Sequence, residues 1–367
     1  MMLLISIGLV FLLILQDVIL FLLLRYNFKN YGEGKLKAFP QISILIPCRN
    51  EAYNLPQCLE ALESLDYPRS KLQIIMGNDG SEDGTAQLLQ QWANQRPHAM
   101  YVEVKAGNGV KMNGKANALQ QMGGHATGEL LLFTDADCVV SPNWARSMVA
   151  AWQRSQAGVV TGITIVIGKR FFERMQSFDW WLTLGMVKVM DDLGIALTSM
   201  GNNMLISKSA YDAVGGFEGI PFSLTEDFEI AKAIGEQGFP IIHSVSEHNL
   251  LHTKGQENYT GLMRQRKRWM SGAMDLPLVW TLLLGLQVLF FPAVLFLVFL
   301  YPFEGILLWL IKVSIQGLFI YCFALKTRIR LKWVDFLLFE IYYMLTAWST
   351  IVYYFWPSKT DWKGRKY

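Results

Sequence analysis

Two aspartates one residue apart, Asp135 and Asp137, close a short continuous apolar run, Leu130 to Phe133. A run without alternation is what a strand buried on both faces of a parallel sheet requires. Open α/β sheets bind ligands outside the carboxyl ends of their strands. Carboxylates placed there offer the hard oxygen donors that Mg²⁺ or Mn²⁺ takes, and such an ion could hold a diphosphate. Taken alone, an Asp-x-Asp is also an ordinary loop at a strand end.

Four more stretches carry groups for the same chemistry. Ile46 to Glu51 (IPCRNE) and Gly77 to Ser81 (GNDGS) each close a strand-like run. Asp79 can accept hydrogen bonds from a ribose or a base, with Asn78 and Ser81 beside it, although these residue types favour plain turns as well. Thr225-Glu226-Asp227 leads into a helical pattern and doubles as a helix start. In Gln265-Arg266-Lys267-Arg268-Trp269, the first, fourth and fifth residues share one helix face. A basic patch attracted to anionic lipid is the alternative for that stretch.

The elements that must position these groups alternate. Strands are expected over 42–46, 72–76, 101–104 and 158–167, and helices over 54–65, 85–95 and 115–122. Alternation of this kind implies right-handed βαβ units, an α/β class and a mostly parallel central sheet. Residues 41–272 are read as one such domain, preceded by a basic linker over 25–40.

The apolar excess lies at the two ends. Hydrophobic residues make up 52% of the 367. Residues 1–24 are long enough to cross a bilayer and lack a basic leader or a small-residue cleavage site, so an anchor is expected. Arg25, Lys29, Lys35 and Lys37 follow, which places 41–272 in the cytoplasm of a cell with an inner membrane. Further runs cover 276–301, 304–325 and 335–356, the last either transmembrane or re-entrant. A fourth crossing would put the basic tail, 357–367, outside, against the charge rule. Residues 171–190 form an aromatic-rich helix for the membrane interface or for the core. The four cysteines have no metal or disulfide spacing, and a net charge of +3 supplies no field for nucleic acid. The apolar runs hold few charges beyond Asp17, Lys312 and Glu340, too few for a transporter.

Together the motifs are more specific than their parts. IPCRNE (46–51), NDGSEDGT (78–85), GKANAL (114–119), TDAD (134–137), GNNM (201–204), TED (225–227) and QRKRW (265–269) stand in the order of membrane-bound glycosyltransferase family 2, and the sequence resembles those inverting GT-A enzymes. Its ceramide-glucosyltransferase-like and cellulose- or hyaluronan-synthase-like members share this plan; Trp362-Lys363-Gly364-Arg365 looks like the ending of the lipid-glycosylating branch. The resemblance implies a GT-A nucleotide-diphospho-sugar transferase fold. It implies nucleotide-sugar contacts from Pro47, Glu51, Asp79, Lys115 and Asp135, metal coordination by Asp137, and Asp227 as catalytic base. Gln265, Arg268 and Trp269 would close over the diphosphate. The expected donor is a UDP-sugar and the expected acceptor a lipid or glycan at the membrane. A processive polysaccharide synthase is the alternative, and a non-catalytic scaffold that binds nucleotide sugar a third reading.

Overall fold

The computed structural model describes residues 1–32, 36–107, 111–359, 361–363 and 365–366. Lys35 of the basic linker and Gly364 of the tail motif lie outside them. In chain order, helix α1 (Met2–Tyr26) precedes β1 (Ile42–Cys48), α2 (Leu55–Glu63), β2 (Leu72–Asn78), α3 (Thr85–Asn94), β3 (Ala99–Glu103) and α4 (Gly114–Gly123). Then come β4 (Leu130–Thr134), β5 (Cys138–Val139), α5 (Trp144–Ser155), β6 (Val159–Thr161), β7 (Ile163–Ile167) and α6 (Phe171–Asp192). The chain continues through β8 (Asn203–Ser207), α7 (Lys208–Ala213), α8 (Glu226–Glu236), β9 (Ile241–His243) and β10 (Leu250–Lys254). It ends with α9 (Tyr259–Met274), α10 (Leu278–Leu300), α11 (Pro302–Leu325), α12 (Val334–Phe355) and a short hairpin, β11 (Asp361–Trp362) with β12 (Arg365–Lys366).

These elements form two units. The globular one comprises Lys29–Ile167 and Gly194–Lys254. Its seven-stranded sheet runs β3-β2-β1-β4-β8-β6-β9. Strands β1 to β4 pair parallel, and β8 is antiparallel to both β4 and β6. The expected mixed α/β class with a mostly parallel sheet is therefore present. Successive strand residues enter opposite faces: Ile44 and Leu132 belong to one buried cluster, Leu45 and Leu131 to the other. Two covered faces are why the strands read as continuous apolar runs.

From β1 the chain moves outward to β2 and β3, then returns to the other side of β1 as β4. That reversal opens a crevice at the carboxyl ends of β1 and β4. Because β8 is antiparallel, its first residue, Asn203, pairs with Thr134 at that same edge.

The single strand expected over 158–167 is two. Residues 159–161 join the main sheet, while 163–167 join a second sheet, β5-β10-β7. Gly162 sits at the switch, and a Cβ there would come within 2.4 Å of the Asn203 amide. That amide donates to the carbonyls of Ile163 (2.9 Å) and Asn249 (2.8 Å). Strand β1 runs on through Pro47, which lies opposite Gly77, instead of ending before it.

The other unit comprises Met1–Phe28, Gly168–Leu193 and Gly255–Tyr367, so within 41–272 the segments carrying α6 and α9 group with the apolar helices. Among the described residues four helices, α1, α10, α11 and α12, are long and apolar enough to cross a membrane. Helix α1 packs against α10 and α11. Three charges of these helices gather together. Lys312 Nζ lies 3.0 Å from Glu340 Oε1 and also donates to Gln316 Oε1. Asp17 lies within electrostatic range of both Lys312 and Glu340. All four side chains are buried.

Candidate active site

The loops after β1 and β2 are laced together by their own polar atoms. The Arg49 guanidinium donates to the Asp79 carbonyl at 2.7 Å, and the Asn50 and Glu51 amides donate to Ser81 Oγ (3.1 Å) and Thr85 Oγ1 (2.8 Å). Asn50 takes a left-handed backbone (φ 53°), which Asn tolerates, and its side chain accepts from the Glu82 amide at 2.8 Å. Glu51 and Asp79 are both buried at this junction, and Glu51 Oε2 accepts from Asn54 Nδ2 at 2.7 Å. Asn78, beside Asp79, is buried and engaged within the fold. Its amide donates to both carboxylate oxygens of Glu103, at 2.9 and 3.0 Å.

Asp135 and Asp137 follow β4 in the crevice. Beneath them, Cys58 Sγ faces the Asp135 carbonyl at 3.9 Å and Cys138 Sγ lies 3.6 Å from Asp137 Oδ1. Burial, then the charges of Asp137, Asp135 and Glu51, push the Cys58 thiol far up, so the carboxylates after β1 and β4 share one neighbourhood. Both thiols are buried, protonated packing groups.

Lys115, in the first turn of α4, reaches into this group. Its Nζ lies 2.6 Å from Asp135 Oδ1 and 3.8 Å from Glu226 Oε1. Burial acts against the ammonium, but Asp135, Glu226 and Asp227 together outweigh it and hold its pKa above the ordinary lysine value. Asn113 caps α4 by accepting from the Ala116 amide (2.9 Å), and its own amide donates to Glu226 Oε2 (2.8 Å).

Asp227 occupies the first turn of α8. Oδ1 accepts from the Phe228 amide at 2.9 Å, and Oδ2 accepts from the Gly201 amide at 2.7 Å. Gly201 precedes β8, whose start lies beside the end of β4. A Cβ on Gly201 would stand 2.8 Å from the Asp227 Cβ. Gly201→Ala is therefore expected to push the carboxylate aside and lower kcat by about 10²-fold, the usual cost of a small misplacement, with the melting temperature little changed. Steady-state kinetics beside a thermal melt check it.

Glu51, Asp79, Lys115, Asp135, Asp137 and Asp227 thus converge at one sheet edge, with Pro47 next to last in β1. Gln265, Arg268 and Trp269 lie on α9 in the helical unit, where Trp269 meets Trp180 edge to face at 5.4 Å. The residues between them are structural: Arg266 pairs with Asp179, and Lys267 donates to the chain after α12. Sequence reasoning missed Asn113 and Glu226. An Asn directly before GKANAL, at N-cap spacing, was the available signal for the first, and a Glu adjoining Asp227 for the second. Among the described residues no three His, Cys, Asp or Glu side chains form a metal cage. The donors fit an ion of a different kind. Mg²⁺ and Mn²⁺ are commonly held by one or two carboxylates, with water and substrate phosphate completing the shell.

Several proteins are similar to this one. A probable glycosyltransferase of Bacillus subtilis, YdaM, is 27% identical over 254 residues, covering 67% of this chain and 58% of that protein. A poly-beta-1,6-N-acetyl-D-glucosamine synthase of Staphylococcus epidermidis is 27% identical over 262 residues, covering 69% and 61%. The chain thus matches about three fifths of the length of these curated relatives. A mannosyltransferase of Pyrobaculum calidifontis, PcManGT, solved in complex with GDP-Man and Mn²⁺, shares the fold with a TM-score of 0.62 at 18% identity, covering 97% of this chain and 99% of that one. The model of glycosyl transferase family 21 matches residues 9–367, nearly the whole sequence, and the chain belongs to that family.

Proposed function

We propose that this chain is an inverting glycosyltransferase that moves a sugar from a UDP-sugar to a lipid acceptor at the membrane, with the mechanistic plan of family 2 and its ceramide-glucosyltransferase-like branch. The observation that carries the reading is the cluster at the carboxyl edge of β1, β2 and β4, where a single ammonium, Lys115, stands among Asp135, Glu226 and Asp227. Glu51 and Asp79 hold base and ribose, with Pro47 shaping the loop. Asp135 lies nearer the donor sugar and is oriented by Lys115. Gln265, Arg268 and Trp269 face the diphosphate and the acceptor, Arg268 through a bidentate contact.

Asp137 would hold Mg²⁺ or Mn²⁺, which when bound would supply Lewis acidity toward the donor's diphosphate. Asp227 takes the proton of the incoming hydroxyl. The new glycosidic bond forms as the sugar–phosphate bond breaks, in one displacement that inverts the anomeric centre. The globular unit lies in the cytoplasm, and α1 anchors the chain in the inner membrane. A processive polysaccharide synthase is the second reading, favoured by the relatives named as poly-N-acetylglucosamine synthases.

Purified enzyme in vesicles, offered a panel of nucleotide sugars and a lipid extract, tests the assignment. A single glycolipid band on chromatography is expected, whereas a polymer ladder selects the synthase. No nucleoside diphosphate release with any donor sinks both. Chelation by EDTA, and separately Asp137→Ala, is expected to abolish release, with Mn²⁺ or Mg²⁺ restoring only the chelated parent.

A further inference from the structure

The helical unit pairs its inner cations with carboxylates. Lys188 lies 2.6 Å from Asp192, Arg174 and Lys312 lie 3.0 Å from Asp335 and Glu340, and Arg266 pairs with Asp179. Arg25, in the last turn of α1, and Lys326, directly after α11, stand outside that pattern. Among the described residues neither forms an ion pair.

The fold nevertheless gathers these two cations. Helix α1 packs against α11. Both charges lie within electrostatic range of Cys322, in the last turn of α11. The Lys326 ammonium lies 4.3 Å from the centre of the Phe28 ring, three residues beyond Arg25, and Lys188 faces the same ring at 5.1 Å. A cation at a helix C-terminus is favourable in itself, which accounts for each charge singly. It does not account for their meeting. Arg25 and Lys326 are about three hundred residues apart in sequence, and like charges brought close repel. An anion seated on both offsets that repulsion.

The surroundings select the kind of anion. Leu22, one turn before Arg25, and Leu325, beside Lys326, are exposed. Trp333 is exposed as well and stacks on Tyr321 of α11 with ring centres 4.7 Å apart. Aromatic side chains at the ends of apolar helices mark the headgroup level of a bilayer. Free phosphate gains nothing from exposed leucines, whereas a phospholipid lays its acyl chains on them while its phosphate meets the cations. A zwitterionic headgroup brings an ammonium that Arg25 and Lys326 repel, so a headgroup of net negative charge fits better.

We propose that Arg25 and Lys326 hold the phosphate of an anionic phospholipid at the shared end of α1 and α11, with its acyl chains against Leu22 and Leu325. The site depends on the membrane placement of these two helices and not on the reaction the chain catalyses.

The test offers phosphatidylglycerol and phosphatidylcholine of matched acyl chains together to the purified full chain in non-ionic detergent, and native mass spectrometry counts the first lipid bound. The parent is expected to select phosphatidylglycerol. Arg25→Gln with Lys326→Gln should cut that preference by about 25-fold, about fivefold for each cation near an anionic headgroup. Arg330→Gln with Lys332→Gln removes the same charge from the segment before α12 and should leave the preference unchanged. No preference in the parent, an undiminished preference in the first pair, or equal losses in both pairs overturns the site. Competition by inorganic phosphate at the concentration of the lipid also overturns it, since the anion would then need no acyl chains. A melting temperature near the parent's in lipid-free detergent is expected for the first pair, because Arg25 is exposed and Lys326 lacks an ion pair. If the pair melts early, Arg25→Gln alone carries the test, with a fivefold loss upholding the site and none refuting it.

Discussion

Asp227→Asn is expected to transfer sugar about 10²–10⁴ times more slowly than the parent with its donor affinity unchanged, the range set by loss of the general base proposed for that position. The substitution is nearly isosteric. One side-chain oxygen survives to accept from the Gly201 or the Phe228 amide, which bond Oδ2 at 2.7 Å and Oδ1 at 2.9 Å in the parent. The loss of the other bond costs about 1 kcal/mol of stability, too little to unfold the unit. What disappears is the proton acceptor. The measurement is kcat with saturating donor, beside calorimetric donor binding. Parental kcat removes Asp227 from the reaction, and a matching loss of donor affinity assigns it to binding.

Lys115→Ala is expected to lower the melting temperature of the enzyme by on the order of 10 °C and to weaken donor binding. Breaking a buried ion pair from one side costs about 3–5 kcal/mol, and a unit of this size loses about 2–4 °C per kcal/mol. The ammonium is mostly enclosed, and its removal takes away a charge that offsets the repulsion among Asp135, Glu226 and Asp227. Adding Glu226→Gln to Lys115→Ala relieves part of that repulsion and should recover part of the loss; no recovery makes lost packing the cause. The pH dependence has a definite sign. The folded-state pKa of Lys115 lies above its ordinary value, so its contribution is complete below about pH 10 and falls only as the pH rises beyond that. A parent enzyme whose stability drops between pH 6 and 9 is not losing it through Lys115.

Much of the globular unit was legible because its first half is built from local signals. Apolar runs closed by turn residues marked β1, β2 and β4, and parallel order followed from the helices placed among them. Strand β8 escaped notice since five residues, Asn203–Ser207, follow a polar motif with no alternation and pair antiparallel to β4. The break at Gly162 was invisible because its cause, the Asn203 side chain, lies 41 residues on in sequence. The acidic positions were named from motifs, but their convergence is tertiary: the amide that fixes Asp227 belongs to Gly201, a residue with no side chain to advertise it. The roles of Arg266 and Lys267 were equally hidden, because a basic run beside a membrane reads as lipid-facing until internal partners are seen.

The charged trio in the apolar helices has a consequence for biogenesis. Asp17 emerges from the ribosome almost three hundred residues before Lys312, the cation within whose reach it settles. In the proposed membrane placement, α1 carries during that interval a carboxylate that hydrocarbon does not welcome. A nascent chain arrested before Lys312 would, in that placement, present an acid that lacks the cation it settles beside in the finished fold.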